Sequence, residues 1–244
     1  MAVSVDTVYR TVLLILNKEQ RGYMTPDEFN KTATQVQLEI FNEYFDNLNQ
    51  QIRIPDNDTE YADRVKNLQE KIAIFQTDGT CVFSVDHFDI PTAADFYKLG
   101  TVIYNDDKEV QYVQPNELLE LNLSPITKPS TYWPVYTYKN FNIRVYPTTI
   151  TGNGVISCTY VRKPYNPRWG FTTSPATNYQ YVYNPLQYNP STQPTGSQNF
   201  DLHPTEQTNL IIKILLYSGV IIKDPQIVQA AAQQVQAENI NSKS

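Results

Sequence analysis

Leu68–Val85 reads LQEKIAIFQTDGTCVFSV, and the period of its apolar residues changes partway along. Up to Ile72 the spacing is helical, continuing Tyr61 and Val65 through Leu68 and Ile72. From about Phe75 it alternates, as in a strand with one buried face. Thr77-Asp78-Gly79 has turn chemistry and is expected to lead into a strand over Cys81–Val85. A helical part therefore gives way to a β part near this point, and the fold class is α+β.

Upstream, the helices are marked by their ends as well as by their stripes. Ser4 or Asp6 can cap a helix with Val5, Val8, Tyr9, Val12, Leu13 and Leu16 on one side. After Gly22, Thr25-Pro26-Asp27-Glu28 supplies the N-cap, N1 proline and N3 glutamate of a capping box. The helix it starts buries Phe29, Ala33, Val36, Ile40, Tyr44 and Leu48, widened by Phe41 and Phe45, and Pro55 ends it. Three amphipathic helices with short links predict a small bundle.

Downstream, Val102–Tyr104 and Glu109–Val113 flank Asn105-Asp106-Asp107, a hairpin pattern. Val135–Tyr138 and Phe141–Tyr146 flank a two-residue turn placed at Lys139-Asn140. Gln114-Pro115-Asn116-Glu117 starts a short helix through Leu121, and Gly152-Asn153-Gly154 leads to Val155–Arg162, where Ile156, Cys158 and Tyr160 share a face. The links are too short for parallel crossovers, which predicts a mostly antiparallel β domain of roughly five to seven strands. Helices return at Glu206–Ser218, with Leu210, Ile211, Ile214 and Leu215 inward and Gly219 as the stop. Asp224-Pro225 caps a last helix carrying Ile227, Val228, Ala231 and Val235 on one face.

The expected organisation is an N-terminal helical part over 1–75, a central β domain over 76–165, an extended arm over 166–200, and C-terminal helices over 201–244 that complete the helical bundle. The arm stands out. Trp169–Phe200 reads WGFTTSPATNYQYVYNPLQYNPSTQPTGSQNF, without one Asp, Glu, Lys or Arg. Long loops in compact domains are usually functional or disordered, and disordered chain is typically charged and poor in aromatics. Here the composition is the reverse, with Tyr179, Tyr181, Tyr183 and Tyr188. The first three alternate, which puts their rings on one face of an extended segment. Such a segment suits a neighbour's sheet or groove, and this reading is favoured over the alternative that it covers its own β domain. Trp169, Tyr179, Tyr181, Tyr183 and Tyr188, with Ile227 and Val228 of the last helix, are the candidate interface residues.

Charged residues make up 18% of the chain against about 25% in ordinary soluble domains, and Tyr (18) outnumbers Phe (10). Low charge and many tyrosines suit a subunit that buries surface in an oligomer. A net charge of −6 argues against a grip on nucleic-acid phosphates, and the densest basic cluster is only Arg162, Lys163 and Arg168. No apolar run has the length to span a bilayer, and MAVSVDTVYR lacks the basic and apolar regions of a signal peptide. Cys81 and Cys158, each in a predicted strand, are expected as buried thiols in a chain made in a reducing compartment. His87, between Asp86 and Asp89, has no marked third partner for a metal, and His203 precedes a helix-entry proline. Phosphate-loop, dinucleotide, zinc-protease, nucleophile-elbow and CxxC motifs are absent. No catalytic, cofactor or metal residue is assigned, and no enzyme activity is expected.

Three blocks, taken together, resemble the head-to-tail adaptor, or connector ring, proteins of short-tailed bacteriophages, especially the crAss-like group. They are YMTPDEFNKTATQVQLEIFNEYF (Tyr23–Phe45), the strand pair FNIRVYP (Phe141–Pro147) and VISCTYVRKP (Val155–Pro164), and FDLHPTEQTNLIIKILLYSGVIIKDPQIVQAAAQQ (Phe200–Gln234). The resemblance implies a virion protein at the head–tail junction, made in the bacterial host cytoplasm. It implies a homo-oligomeric ring, commonly twelvefold, contacting the portal protein and neighbouring tail or ring proteins. DNA would pass through the lumen without specific binding. The alternative from another class is a carbohydrate-binding module of a phage fibre or surface protein, with Trp133, Trp169 and the tyrosine rows as stacking platforms.

Overall fold

Thr25 and Glu28 close the capping box that starts the second helix. The Thr25 N–H donates to Glu28 Oε2 at 2.9 Å, and the Glu28 N–H donates to Thr25 Oγ1 at 3.3 Å. The computed structural model describes residues 2–18, 23–53, 59–91, 95–173, 178, 180–221, 233–234 and 236. Its helices are α1 (Val5–Lys18), α2 (Pro26–Arg53), α3 (Thr59–Ala73), α4 (Pro115–Leu121) and α5 (Gln207–Ile221). The chain divides into two compact units, Met1–Ile74 with Pro164–Ser244, and Phe75–Lys163. Gly22, Pro55, Tyr179, and the Asp224-Pro225 cap with Ile227 and Val228 lie outside the described residues.

The first unit is helical. Val5, Val8, Val12 and Leu16 of α1 and Phe29, Ala33, Val36, Ile40, Phe41 and Tyr44 of α2 are buried, as their spacing predicts. Leu210 and Ile214 of α5 are fully buried, whereas Ile211 and Leu215 are half-buried. Gly219 does not stop that helix. It lies buried within α5, because the apolar run continues past it to Ile221. Lys213 is also buried on α5, its Nζ 3.2 Å from Glu39 Oε1 and 2.5 Å from Glu43 Oε1 of α2.

The second unit is built on an eight-stranded, nearly closed sheet. Its strands are β1 (Gln76–Thr80), β2 (Val82–Ser84), β3 (His87–Asp89), β4 (Phe96–Tyr104), β5 (Lys108–Tyr112), β6 (Val135–Lys139), β7 (Asn142–Tyr146) and β8 (Ile156–Arg162). The order is β1-β8-β4-β5-β6-β7-β3-β2. Both edges therefore come from one stretch of chain, because β1 and β2 are separated only by Cys81. Phe88, Phe96, Val102, Val110, Ile143, Ile156 and Cys158 point into a shared core.

Three expectations are corrected here. Thr77-Asp78-Gly79 is part of β1 rather than a turn, with Gly79 opposite Cys158 on β8. Side chains around Gly79 leave no room for a Cβ, the nearest being that of Pro91, so the glycine permits close packing rather than a reversal. The turn between β6 and β7 is Asn140-Phe141, one residue later than placed, and both have positive φ (54° and 64°). Finally, β5 and β6 pair in parallel; the connection over 113–134 carries α4 and is long enough for a crossover.

Candidate interaction surface

The uncharged segment belongs to the helical unit, and its first anchor is polar. Asn30 of α2 meets Trp169 as a strand would: the Trp169 N–H donates to Asn30 Oδ1 at 2.7 Å, and Asn30 Nδ2 donates to the Trp169 carbonyl at 3.3 Å. One helical repeat of seven further on, Gln37 does the same for two distant residues. Its Nε2 donates to the Tyr165 carbonyl at 2.7 Å and its Oε1 accepts from the Asp201 N–H at 2.8 Å. The segment's two ends are thus held side by side on α2. Neither residue was singled out by sequence; the available signal was a polar side chain at positions i and i+7 beside an apolar stripe.

These contacts place the predicted interface residues. Trp169 is buried at 5% exposure, its ring centroid 4.5 Å from that of Tyr9 and its Nε1 donating to Asp6 Oδ1 at 3.0 Å. It is a core residue of its own chain and is not free to dock elsewhere. Strand β9 (Phe171–Thr172) pairs with β10 (Val182–Tyr183), bringing Tyr183 to 5.5 Å from Trp169 and Tyr181 to 4.9 Å from Phe171. The guanidinium of Arg168 lies 4.7 Å over the Tyr188 ring. Instead of running as an extended arm, the described part of the segment folds on itself through bridges at Arg168–Gln198, Gln187–Ser197 and Asn189–Gln193. Tyr181, Val182 and Leu186 remain exposed.

Several large apolar side chains of the β unit are exposed. Tyr132 and Trp133 are 74% and 80% exposed, in a short loop held by a 3.1 Å bond from the Trp133 N–H to the Ser130 carbonyl. With Tyr112, Pro134, Lys108, Glu109 and Gln111 they line a groove of about 780 Å³. Lys108 Nζ lies 4.9 Å over the Tyr132 ring, a cation–π contact that steadies it. A second hollow of about 460 Å³ shares Gln111 and continues to Glu117, Glu120 and Leu121 of α4. On and just beyond α4, Leu119, Leu123 and Ile126 are 70%, 85% and 95% exposed. Sequence reading had named Trp133 only as a possible sugar platform and had passed over these aliphatic residues. For Leu123, Ile126 and Trp133 the available signal was Leu121–Pro134 (LNLSPITKPSTYWP), where large apolar residues recur among polar ones with neither a helical nor a strand period.

The charged cluster around His87 is paired internally. His87 is flanked as its sequence suggests, with Nδ1 2.8 Å from Asp86 and Nε2 3.2 Å from Asp89. Asp86 also pairs with Arg144 at 2.6 Å. The hydrogen bond from His87, aided by Arg144, holds the Asp86 carboxyl below the usual carboxylate range. Among the described residues, no group of three or more His, Cys, Asp or Glu is placed to hold a metal. None of the described helices is long and apolar enough to cross a membrane. Compared with known proteins, the chain matches no family model and no curated sequence.

Proposed function

We propose that the chain is a structural subunit of a virion, one copy of an adaptor ring that joins the portal vertex to the tail and surrounds the DNA exit channel. The observation that carries this reading is the exposure of Leu119, Leu123 and Ile126 on and after α4 and of Tyr132 and Trp133 just before β6. Large apolar patches on a folded surface mark association sites, and Trp and Tyr are the rings that most often dominate interface energies. A closed ring needs a heterologous contact, one face of a subunit meeting a different face of the next. On this reading the groove beside Trp133 is one half of that contact. The exposed Tyr181, Val182 and Leu186 of the folded 169–200 segment offer apolar surface for the other half. The C-terminal region with Ile227 and Val228 faces the portal, and the net charge of −6 lets DNA slide past without being held.

Negative-stain imaging of the purified protein, alone and with its portal, tests the proposal. Rings at the portal end are expected, and Trp133→Ala with Ile126→Ser should lower ring yield at least tenfold without unfolding the monomer. Monomers under all conditions would reject the reading. A second reading is favoured by one observation, the exposed Trp133 and Tyr132 beside Glu109 and Gln111, which is also the layout of a sugar-stacking site. Trp169 is buried and cannot contribute to it. Retention of a monomeric protein on a glycan array, lost in Trp133→Ala, would favour this alternative over the ring.

A further inference from the structure

Cys81 and Cys158 stand 77 positions apart in sequence, yet the Cys81 thiol donates to Cys158 Sγ at 3.4 Å. Cys81 is the one residue between β1 and β2, the corner where the chain leaves its pairing with β8 and begins its pairing with β3. Its own N–H still donates to the Ile156 carbonyl of β8 at 2.9 Å. The two sulfurs therefore face each other at the seam where the sheet closes on itself, with exposures of 0% and 1%. Bringing them to the roughly 2.05 Å of a disulfide needs only a small approach. Cys81 lies outside the regular strand spans, so the move need not break the ladder of either neighbour. The chain has two cysteines in all, and each is buried with its sulfur against the other's, so the geometry favours a bond within one copy.

We propose that Cys81 and Cys158 are a reversible cross-linking site, reduced when the chain is made and joined as an intramolecular disulfide when it meets a small disulfide oxidant such as oxidised glutathione. The hydrogen bond from Cys81 holds the Cys158 thiol below its ordinary range, while that same bond and burial push Cys81 up. Cys158, the sulfur that accepts this hydrogen bond, is the one assigned to attack first. When the seam opens locally, Cys158 attacks one sulfur of oxidised glutathione and expels glutathione thiolate. Cys81 then loses its proton, attacks Cys158 Sγ in the mixed disulfide and expels the second glutathione. Two protein thiols give up two protons and two electrons, and one oxidised glutathione becomes two reduced molecules. The bond would pin the corner of the β1–β2 stretch to β8 and so keep the sheet closed.

The full-length native protein is incubated with oxidised glutathione or with dithiothreitol, quenched in acid, denatured, alkylated with N-ethylmaleimide and weighed intact. The reduced protein should carry two alkyl groups. The oxidised protein should carry none, weigh two hydrogens less and melt roughly 5 °C or more higher. Dithiothreitol should reverse the shift, and Cys158→Ser should abolish it. Refolding in a glutathione redox buffer removes any limit set by access to the seam, and bond formation under either regime supports the proposal. Two alkylated thiols after both treatments, a stable glutathione adduct, or a disulfide-linked dimer would overturn it.

Discussion

An ammonium group at the 3% exposure of Lys213 persists only because two carboxylates meet it. Burial pulls its proton affinity down, but Glu43 and Glu39 more than offset that, and the net displacement is upward. A group whose folded value is raised stabilises the fold fully below the ordinary lysine value of 10.5 and loses that contribution as pH rises through the raised value. Lys213→Met keeps most of the side-chain volume and removes the charge. Glu39 and Glu43 are 37% and 34% exposed, so water partly resolvates them. The expected loss is therefore about 1–3 kcal/mol, below the usual cost of breaking a fully buried pair. Thermal melts of wild type and variant should differ most near neutrality and converge as pH rises above 10.5. A gap that stays constant into alkali would refute the assignment. Lys213 also shows where sequence reading stops at this scale. The apolar period of α5 is plain in the chain, but nothing local says that a lysine inside the stripe meets two glutamates from α2.

Elements were legible where they carry their own punctuation. The capping boxes at Thr25 and Gln114 start α2 and α4 where their residues say they should. The alternation of Ile156, Cys158 and Tyr160 places β8 with the correct face inward. Glycine was harder, because it marks both reversals and close approaches. Gly79 and Gly219 were read as boundaries and are interior positions. The uncharged segment was read from its composition alone, which passes over its glycines. A Cβ on Gly170 would overlap the backbone of Thr195 and Gly196, and one on Gly196 would come within 2.6 Å of the Leu186 carbonyl oxygen. Three passes of chain are stacked there at backbone distance, a geometry no composition argument reveals. Gly170→Ala should cost about 2–4 kcal/mol and open residues 180–198 to proteolysis, while the β unit keeps its own protection. Hydrogen exchange resolved by peptide measures this directly. An unchanged 180–198 region in a folded Gly170→Ala protein would show that the stack is not what holds the segment.

Over the whole molecule, the α+β class follows from the change of period near Phe75, and the nearly closed sheet explains how a β unit fits inside a helical chain. Its first and last strands, β1 and β8, are antiparallel neighbours with Gln76 opposite Val161. The Arg162 N–H donates to the Phe75 carbonyl at 2.9 Å, and the Arg162 guanidinium lies 5.9 Å over the Phe75 ring. Entry and exit are thereby fixed side by side, and the unit closes its own loop through the β1–β8 ladder. Its core of Phe88, Phe96, Ile143, Ile156 and their neighbours is drawn wholly from residues 75–163. A unit with its own core and adjacent ends has what a domain needs to fold alone. Residues 75–163, produced as a separate fragment, should therefore melt cooperatively and show near-ultraviolet circular dichroism from packed aromatics. The exposed Trp133 face travels with the fragment. If that face is the ring contact, the fragment should compete with full-length protein and lower ring yield on the portal, whereas the same fragment with Trp133→Ala should not. A fragment that folds, carries the face and leaves ring yield unchanged at tenfold excess would place the contact elsewhere in the chain.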